Sequence, residues 1–235
     1  MLLYIIRHGD PDYATDSLTP RGVLQAEAVA KRLAASGIDR VYSSPMGRAR
    51  QTAEPTCRLL GIDYTVEPWA REIRREQADT TFPDGVKKSV ALVPNTYFRE
   101  KGMWDLSCSN ALQCSVLEGT DLASAAAYVA ENGRDFLERL GYREEDGNYR
   151  ILRPNEEKVA LFCHGNFARV WLSDLLKIPV HMMLASFGYN HTGVTVLNFK
   201  NNENGITAPR CLCFGDTSHL YAHGPDMNYN GTFTL

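Results

Sequence analysis

Two patterns of apolar and polar residues alternate along the chain. Apolar runs in the segments 2–6 and 158–163 are typical of strands that are buried on both faces of a sheet. In the second of these strands the apolar run itself is VALFC, residues 159–163, which follows Lys158. Elsewhere, apolar residues spaced three or four apart predict helices, the first of which begins after Thr19 as N-cap and ends at Gly37. Strands that alternate with helices predict an α/β protein. We expect a three-layer α/β/α sandwich with a mostly parallel central sheet.

The remaining elements follow the same two patterns. Pro55 should kink or interrupt the second helix, and Thr120 is the expected N-cap of the third. The charged stretch at 143–157 is interpreted as a surface loop. Shorter strands are predicted at 38–43, 64–67, 193–199 and 210–214, and further helices at 44–60, 120–140 and 167–177.

One internal region, residues 74–119, has no sustained period of either kind. It holds too few apolar residues for a core of its own, so we expect an insertion over the sheet rather than a separate domain. The 235-residue chain is then predicted to be one domain, 1–235, with a lid inserted at about 74–119.

Charge and composition narrow the class of protein and its partners. The chain is 44% hydrophobic with a net charge of −3, which gives no bulk electrostatic reason to expect nucleic acid or an anionic membrane. No apolar run approaches the ~18 residues of a membrane helix, and the first residues lack the features of a signal peptide. The six cysteines form no C-x-x-C pair, which favours buried thiols in a reducing compartment. We expect a cytoplasmic protein that binds neither nucleic acid nor membranes.

Two of the buried strands end in the same way. The first runs into Arg7, His8 and Gly9, and the strand at 158–163 runs into His164 and Gly165. Ligands bind at the carboxyl ends of parallel strands, so the two histidines should meet in one crevice if the strands are neighbours. A glycine after each histidine lets the backbone turn sharply and approach a ligand closely.

A third element points to the same crevice. The segment SSPMGRARQTA places Arg48 in the first turns of a helix that follows a short strand, from where its side chain can reach the strand ends. Arg50 is the alternative, since it also lies near the start of that helix.

Together these stretches resemble the histidine phosphatase superfamily, also called the phosphoglycerate mutase-like family. They occur in family order at the two ends of the chain. The matching motifs are RHG at 7–9, LTPRGVLQAEAVAKRL at 18–33, VYSSPMGRARQTA at 41–53, REI at 71–73, FCHG at 162–165 and GDTSHL at 215–220.

The resemblance implies a role for each candidate. His8 would be the nucleophile, attacking phosphorus to form a phosphohistidine. Arg7 and Arg48 would hold the equatorial phosphoryl oxygens, and His164 would be a further donor at the start of a helix. Glu72 matches the acid that protonates the leaving oxygen, with Glu76 as the alternative.

Other candidates belong to the substrate-binding surface or to a metal site. Gly9 and Gly165 are expected to let the substrate approach, and His191 to reach the rim of the pocket. His219 and His223 have the i, i+4 spacing of a metal pair, but no third ligand motif accompanies them. We expect no metal and no cofactor, because two arginines and two histidines supply the positive charge.

The choice of reaction depends on the segment after the acid. It reads EIRREQAD, which matches neither the E-R-H-Y-G of phosphoglycerate mutases nor the F-G-x-W-E-G stretch of many small phosphatases. We favour hydrolysis of a small-molecule phosphomonoester, with a mutase as the alternative. A relative that binds phosphorylated ligands without turnover is the hypothesis from another class.

Overall fold

A mixed sheet of six strands forms the centre of the molecule. The computed structural model describes residues 1–73, 77, 79–81, 85–92, 96 and 120–223. Their strands are β1 (Leu2–Arg7), β2 (Pro11–Asp12), β3 (Ser17–Leu18), β4 (Arg40–Ser43), β5 (Tyr64–Val66), β6 (Asp79–Thr81), β7 (Lys87–Ser89), β8 (Tyr142–Glu145), β9 (Asn148–Ile151), β10 (Lys158–Cys163), β11 (Val194–Asn198), β12 (Ile206–Thr207) and β13 (Arg210–Asp216). The helices are α1 (Pro20–Ser36), α2 (Gly47–Leu60), α3 (Leu122–Arg139), α4 (Gly165–Leu176) and α5 (Val180–Ser186).

The order of the strands brings the two predicted histidines together. The central sheet has the order β13-β11-β1-β10-β4-β5. Strands β1, β10, β4 and β5 run parallel to one another, whereas β11 pairs antiparallel with both β1 and β13. Arg7 lies opposite Cys163 in the register of β1 and β10, so the next residue of each chain segment, His8 and His164, emerges at the same edge. The prediction of a mostly parallel α/β sheet is confirmed.

Helices cover both faces of this sheet, which explains the unbroken apolar runs. Alternate residues of β1 point to opposite faces. Leu3 and Ile5 belong to a core shared with α3 and α4, whose largest side chains include Trp171. Tyr4 and Ile6 belong to a second core shared with α1 and α2.

The helix boundaries follow the predicted capping residues at α1 and differ at two others. Thr19 accepts the Gly22 amide at 3.1 Å, and Gly37 ends α1 in the left-handed conformation. α2 runs unbroken from Gly47 to Leu60 with Pro55 buried inside it, so the predicted interruption does not occur. The N-cap position of α3 is Asp121 rather than Thr120, and its side chain makes no capping hydrogen bond.

The predicted surface loop at 143–157 is wrong over most of its length. Residues of β8 and β9 form a hairpin there, extended by β12. Asp146 and Gly147 both have positive φ values, 52° and 79°, as a two-residue hairpin turn requires. The Asp-Gly pair was the signal for this turn, and the charged side chains around it obscured the strands.

The predicted lid at 74–119 falls largely outside the described residues and stays a prediction. Its described parts are the β6–β7 hairpin and a 3-10 turn, Val90–Leu92, whose Val90 is buried in the core shared with α3 and α4. Of the cysteines predicted to be buried, Cys57 and Cys163 are buried, while Cys211 on the edge strand β13 is half-buried. Within the described ranges, no helix is both long enough and apolar enough to cross a membrane.

Candidate active site

His8 lies at the end of β1 as a neutral base. Its Nδ1 is 2.7 Å from the Gly9 carbonyl oxygen, and because that oxygen only accepts, Nδ1 carries the proton. Nε2 therefore keeps its lone pair. Burial, reinforced by His164 and Arg7, holds the pKa of His8 well below its ordinary value. The ring is thus neutral, with the lone pair of Nε2 free.

His164 sits directly across from His8 at the start of α4, with the ring centroids 5.1 Å apart. Its Nε2 is 2.8 Å from the Ser44 hydroxyl, which also accepts the Met46 amide at 3.2 Å. If Ser44 gives its own proton to Nε2, the ring proton of His164 is on Nδ1, which has no hydrogen-bond partner among the described residues. Burial, then Arg48 and Arg7, holds the pKa of His164 well below its ordinary value. This buried donor is available to an oxyanion.

Arg7 is fixed from one side and open on the other. Its Nη1 donates to the carbonyl of Tyr189, while its Nε has no partner among the described residues. Gly165 makes room for this guanidinium: a Cβ at position 165 would lie 3.2 Å from Nε and 3.4 Å from Cζ. The glycine after the second histidine therefore leaves room for the arginine beside the first.

Arg48 reaches the site from α2, as predicted. It is almost fully buried, its Nη1 is paired with the Asp16 carboxylate, and its Nε has no partner among the described residues. Arg50 instead is exposed and donates its Nε to the Tyr64 hydroxyl at 3.0 Å. Of the two arginines, only Arg48 lies beside the histidines.

Glu72 lies against the start of α4. Its Oε1 accepts the amides of Ile73 at 3.0 Å and Phe167 at 2.9 Å, and its Oε2 accepts the Asn166 amide at 3.4 Å. Two of these amides belong to the first turn of a helix, where a negative charge is favoured. The alternative acid, Glu76, lies outside the described residues.

His191 is also part of the site. Its ring is 5.7 Å from that of His8, and its Nδ1 is 3.4 Å from Asp10 Oδ1. Burial, followed by the charge of Arg7, lowers the pKa of His191 to about 3, so this ring is neutral. Asp10 is held in turn by Arg21 at 2.8 Å and by the Thr19 hydroxyl at 2.7 Å. The structure thus joins the start of α1 to the histidine cluster.

Gly9 is explained by packing rather than by access for a ligand. A Cβ at this position would lie 2.7 Å from the Gly22 carbonyl oxygen of α1, and its amide donates to Thr52 Oγ1 at 3.0 Å. A substrate-binding role for Gly9 stays a prediction. Within the described residues, no group of three or more His, Cys, Asp or Glu residues could hold a metal ion.

Known proteins are similar to this chain in sequence and in fold. A sequence model of the histidine phosphatase superfamily (branch 1) matches residues 3–104. The probable phosphoglycerate mutase GpmB of Yersinia pestis (strain Pestoides F) is 34% identical over 189 residues, 76% of this chain and 76% of that protein. This chain belongs to the histidine phosphatase superfamily. The protein of the same name from Proteus mirabilis (strain HI4320) is 36% identical over 80 residues, which span 30% of this chain and only 37% of the relative's length.

Solved structures of the superfamily have the same fold. The phosphoserine phosphatase of Entamoeba histolytica, in complex with 3-phosphoglyceric acid, superposes with a TM-score of 0.60 at 23% identity, covering 93% of this chain and 98% of that one. The mycobacterial glucosyl-3-phosphoglycerate phosphatase superposes with a TM-score of 0.59 at 21% identity, covering 91% and 98%. At these identities the likeness shows the histidine phosphatase fold.

Two residues that position Arg48 in this superfamily member were not predicted from the sequence. Asp16, with a positive φ of 50°, accepts the Gly47 amide at 2.7 Å as well as Arg48 Nη1, so it caps α2 and orients the arginine together. Tyr13 lies with its ring 5.4 Å from Arg48 Cζ. No local pattern indicates these contacts, because they join the loop at 10–18 to a helix about 30 residues later.

A further chain of hydrogen bonds that the sequence did not predict runs from Arg32 through His219 and Thr192 to the backbone of His8. Arg32 Nη1 lies 3.3 Å from His219 Nδ1, and since arginine only donates, the proton of that ring is on Nε2. Nε2 donates to Thr192 Oγ1 at 3.0 Å, and the Thr192 amide donates to the His8 carbonyl at 3.2 Å. His219 is thus occupied within the fold, and the side chain of His223 lies outside the described residues.

Proposed function

We propose that this protein is a metal-independent phosphomonoester hydrolase that works through a phosphohistidine on His8. The observation that carries the proposal is the neutral, buried His8, whose Nδ1 is held by the Gly9 carbonyl and whose Nε2 lone pair is free. The buried guanidinium of Arg48, the partly buried one of Arg7 and a second neutral histidine surround it.

In the first step, His8 Nε2 attacks phosphorus in line. The P–N bond forms as the bond from phosphorus to the leaving oxygen breaks, and the leaving oxygen takes a proton from a general acid. Arg7 and Arg48 stabilise the charge on the equatorial oxygens, and His164 Nδ1–H donates to one of them. In the second step, water attacks phosphorus, the P–N bond breaks, and the water proton passes to the same acid–base group.

Glu72 is the group that we assign to this proton transfer. Its carboxyl lies beside the start of α4, next to the histidine that follows β10. In the described conformation its oxygens accept the backbone amides of Ile73, Asn166 and Phe167. The phosphoryl group of a bound substrate would compete for the same helix amides and release Glu72 to take up a proton.

A mutase is the second candidate, because the relatives at 34–36% identity are named as probable phosphoglycerate mutases. The acid motif of this chain continues as EIRREQAD, which matches neither the mutase pattern nor that of many small phosphatases, so the motif does not decide between the two reactions. The two reactions share the phosphohistidine and differ in the acceptor, which is water in one and an alcohol in the other.

Release of inorganic phosphate from a panel of phosphomonoesters, in the presence of a metal chelator, tests the proposal. Wild-type protein should release phosphate, and His8→Ala should lose turnover and all covalent 32P labelling. Arg48→Ala should lose most activity, while the matched variant Arg50→Ala should keep it, since Arg50 is bound to Tyr64 at the surface. Full turnover in His8→Ala would refute the phosphohistidine. Labelling without phosphate release, with interconversion of phosphoglycerate isomers, would favour the mutase.

A further inference from the structure

An apolar cleft adjoins the predicted phosphate site on the side of Glu72. It has a volume of about 560 Å³, within the usual range for small-molecule sites. Its walls come from three parts of the chain, namely Met46 just before α2, the segment after β5 and the N-terminal half of α3. The apolar lining residues are Met46, Pro68, Trp69, Ile73, Ala125 and Val129.

The floor of the cleft is firmly built. Trp69 is buried, with its indole Nε1 donating to Glu67 at 2.8 Å and its ring packed edge-on against Trp171 at 5.1 Å. Ala125 and Val129, one helical turn apart on α3, are also buried. The floor is therefore an apolar surface made of buried side chains that are held in place by packing.

Two residues join the cleft to the phosphate site. Glu72 lines the cleft and also accepts the amides at the start of α4, directly after His164. Met46 lines the cleft as well, and its Sδ is 3.6 Å from Nη2 of Arg48. A phosphoryl group held by Arg48 would therefore point its ester oxygen toward Glu72 and its alcohol into the cleft.

Polar and charged side chains lie mostly at the mouth. Arg71 and Ser124 are exposed there, and Tyr128 lies on the same rim with about half of its surface accessible. A small polar alcohol such as serine or glycerate would leave the apolar floor in contact with water. A ring-sized apolar body would displace that water and bury its own surface.

From this arrangement we infer that the preferred substrates are phosphomonoesters of an apolar, ring-bearing alcohol, whose ring occupies the cleft between Trp69 and Val129. This inference rests on the proposed function, since it assigns the leaving group of the same reaction. Burying one phenyl ring of this kind should raise kcat/KM at least about tenfold over an ester without it.

A matched pair of esters tests the inference. 2-Phenylethyl phosphate and ethyl phosphate both release a primary alcohol, so their intrinsic reactivity is similar and the ring is the main difference. The wild-type ratio of kcat/KM for the two esters should be at least about ten. A ratio near one, with both esters hydrolysed, would overturn the inference and leave the proposed hydrolase intact.

A pair of variants on α3 assigns the preference to this cleft. Ser124→Trp places a large ring at the mouth and should reduce the ratio at least fivefold. Ala127→Trp, an equally exposed position of the same helix that does not line the cleft, should leave it within twofold. An unchanged ratio in Ser124→Trp would overturn the assignment to this cleft. If neither ester is hydrolysed and His8 takes no label, the proposed function itself fails and the inference with it.

Discussion

Gly165→Ala is a sharp test of the geometry around the candidate phosphate site. The new methyl carbon would lie 3.2 Å from Arg7 Nε and 3.4 Å from Cζ, closer than ordinary van der Waals contact. Arg7 cannot easily move away, because its Nη1 is bonded to the Tyr189 carbonyl and the Tyr189 hydroxyl is tied to Ile5 at 2.9 Å. The guanidinium should shift by a few tenths of an ångström from its position beside His8.

The expected loss is kinetic rather than structural. A 1 Å misplacement in an active site costs about 100-fold, so a shift of a few tenths should lower kcat/KM about tenfold, or about 1.4 kcal/mol of transition-state stabilisation. Stability should change by less than about 1 kcal/mol, because alanine is a better helix former than glycine and this offsets the crowding.

Steady-state kinetics and thermal melting of the same samples separate these effects. Gly188→Ala is the matched control, since a Cβ there meets no described atom within 4 Å, although the residue lies in the loop that holds Arg7. The control should keep wild-type kcat/KM. If Gly165→Ala also keeps it, with an unchanged melting temperature, Arg7 does not depend on the space that the glycine leaves, and our account of both residues is wrong.

Three further predictions concern charge, pH and packing. Asp16→Asn should weaken inhibition by inorganic phosphate about fivefold, because the half-exposed carboxylate that orients Arg48 contributes about 1 kcal/mol to phosphate binding. An equal inhibition constant in the variant would contradict this. The pKa of His191 is about 3 in the folded protein and 6.5 in the unfolded chain, so near pH 5 only the unfolded chain binds a proton at this residue. The stability that depends on the neutral ring is therefore complete above pH 6.5 and is lost as the pH falls toward 3. Urea unfolding at pH 7.5 and 5.5 should show His191→Asn losing about 1 kcal/mol less than wild type over that interval, whereas equal losses would argue against a neutral buried ring. In Gly133→Ala the new Cβ would lie 2.3 Å from Trp171 Nε1, which should destabilise the fold by about 2 kcal/mol in denaturant melts. The value of kcat/KM should stay within about twofold of wild type. A wild-type unfolding midpoint would show that α3 and α4 are free to separate.

Much of the fold and of the candidate site can be predicted from the sequence. The boundaries of β10 and the start and end of α1 follow from features within a few residues, such as the apolar run, the Thr19 cap and the glycine at 37. Two strands that each end on histidine and glycine are enough to indicate the crevice. The β8–β9 hairpin was missed because its charged residues outweighed the Asp-Gly turn signal.

The supporting residues of the site could not be predicted in this way. Asp16 meets Arg48 across 32 positions of sequence, and His219 reaches Thr192 across 27. Such contacts depend on which strands pair and on how the loops cross the sheet edge. Nothing in the residues immediately before or after them records that geometry.

The sequence by itself determined the elements and the chemical types at the strand ends, because periodicity and capping act between residues at most four apart. The tertiary structure alone decided which of those groups meet: the parallel pairing of β1 with β10 brings His8 to His164, and the N-terminus of α2 selects Arg48 over Arg50. It also decided their protonation, since the low pKa of each histidine comes from burial and neighbouring charge that only the packed chain creates.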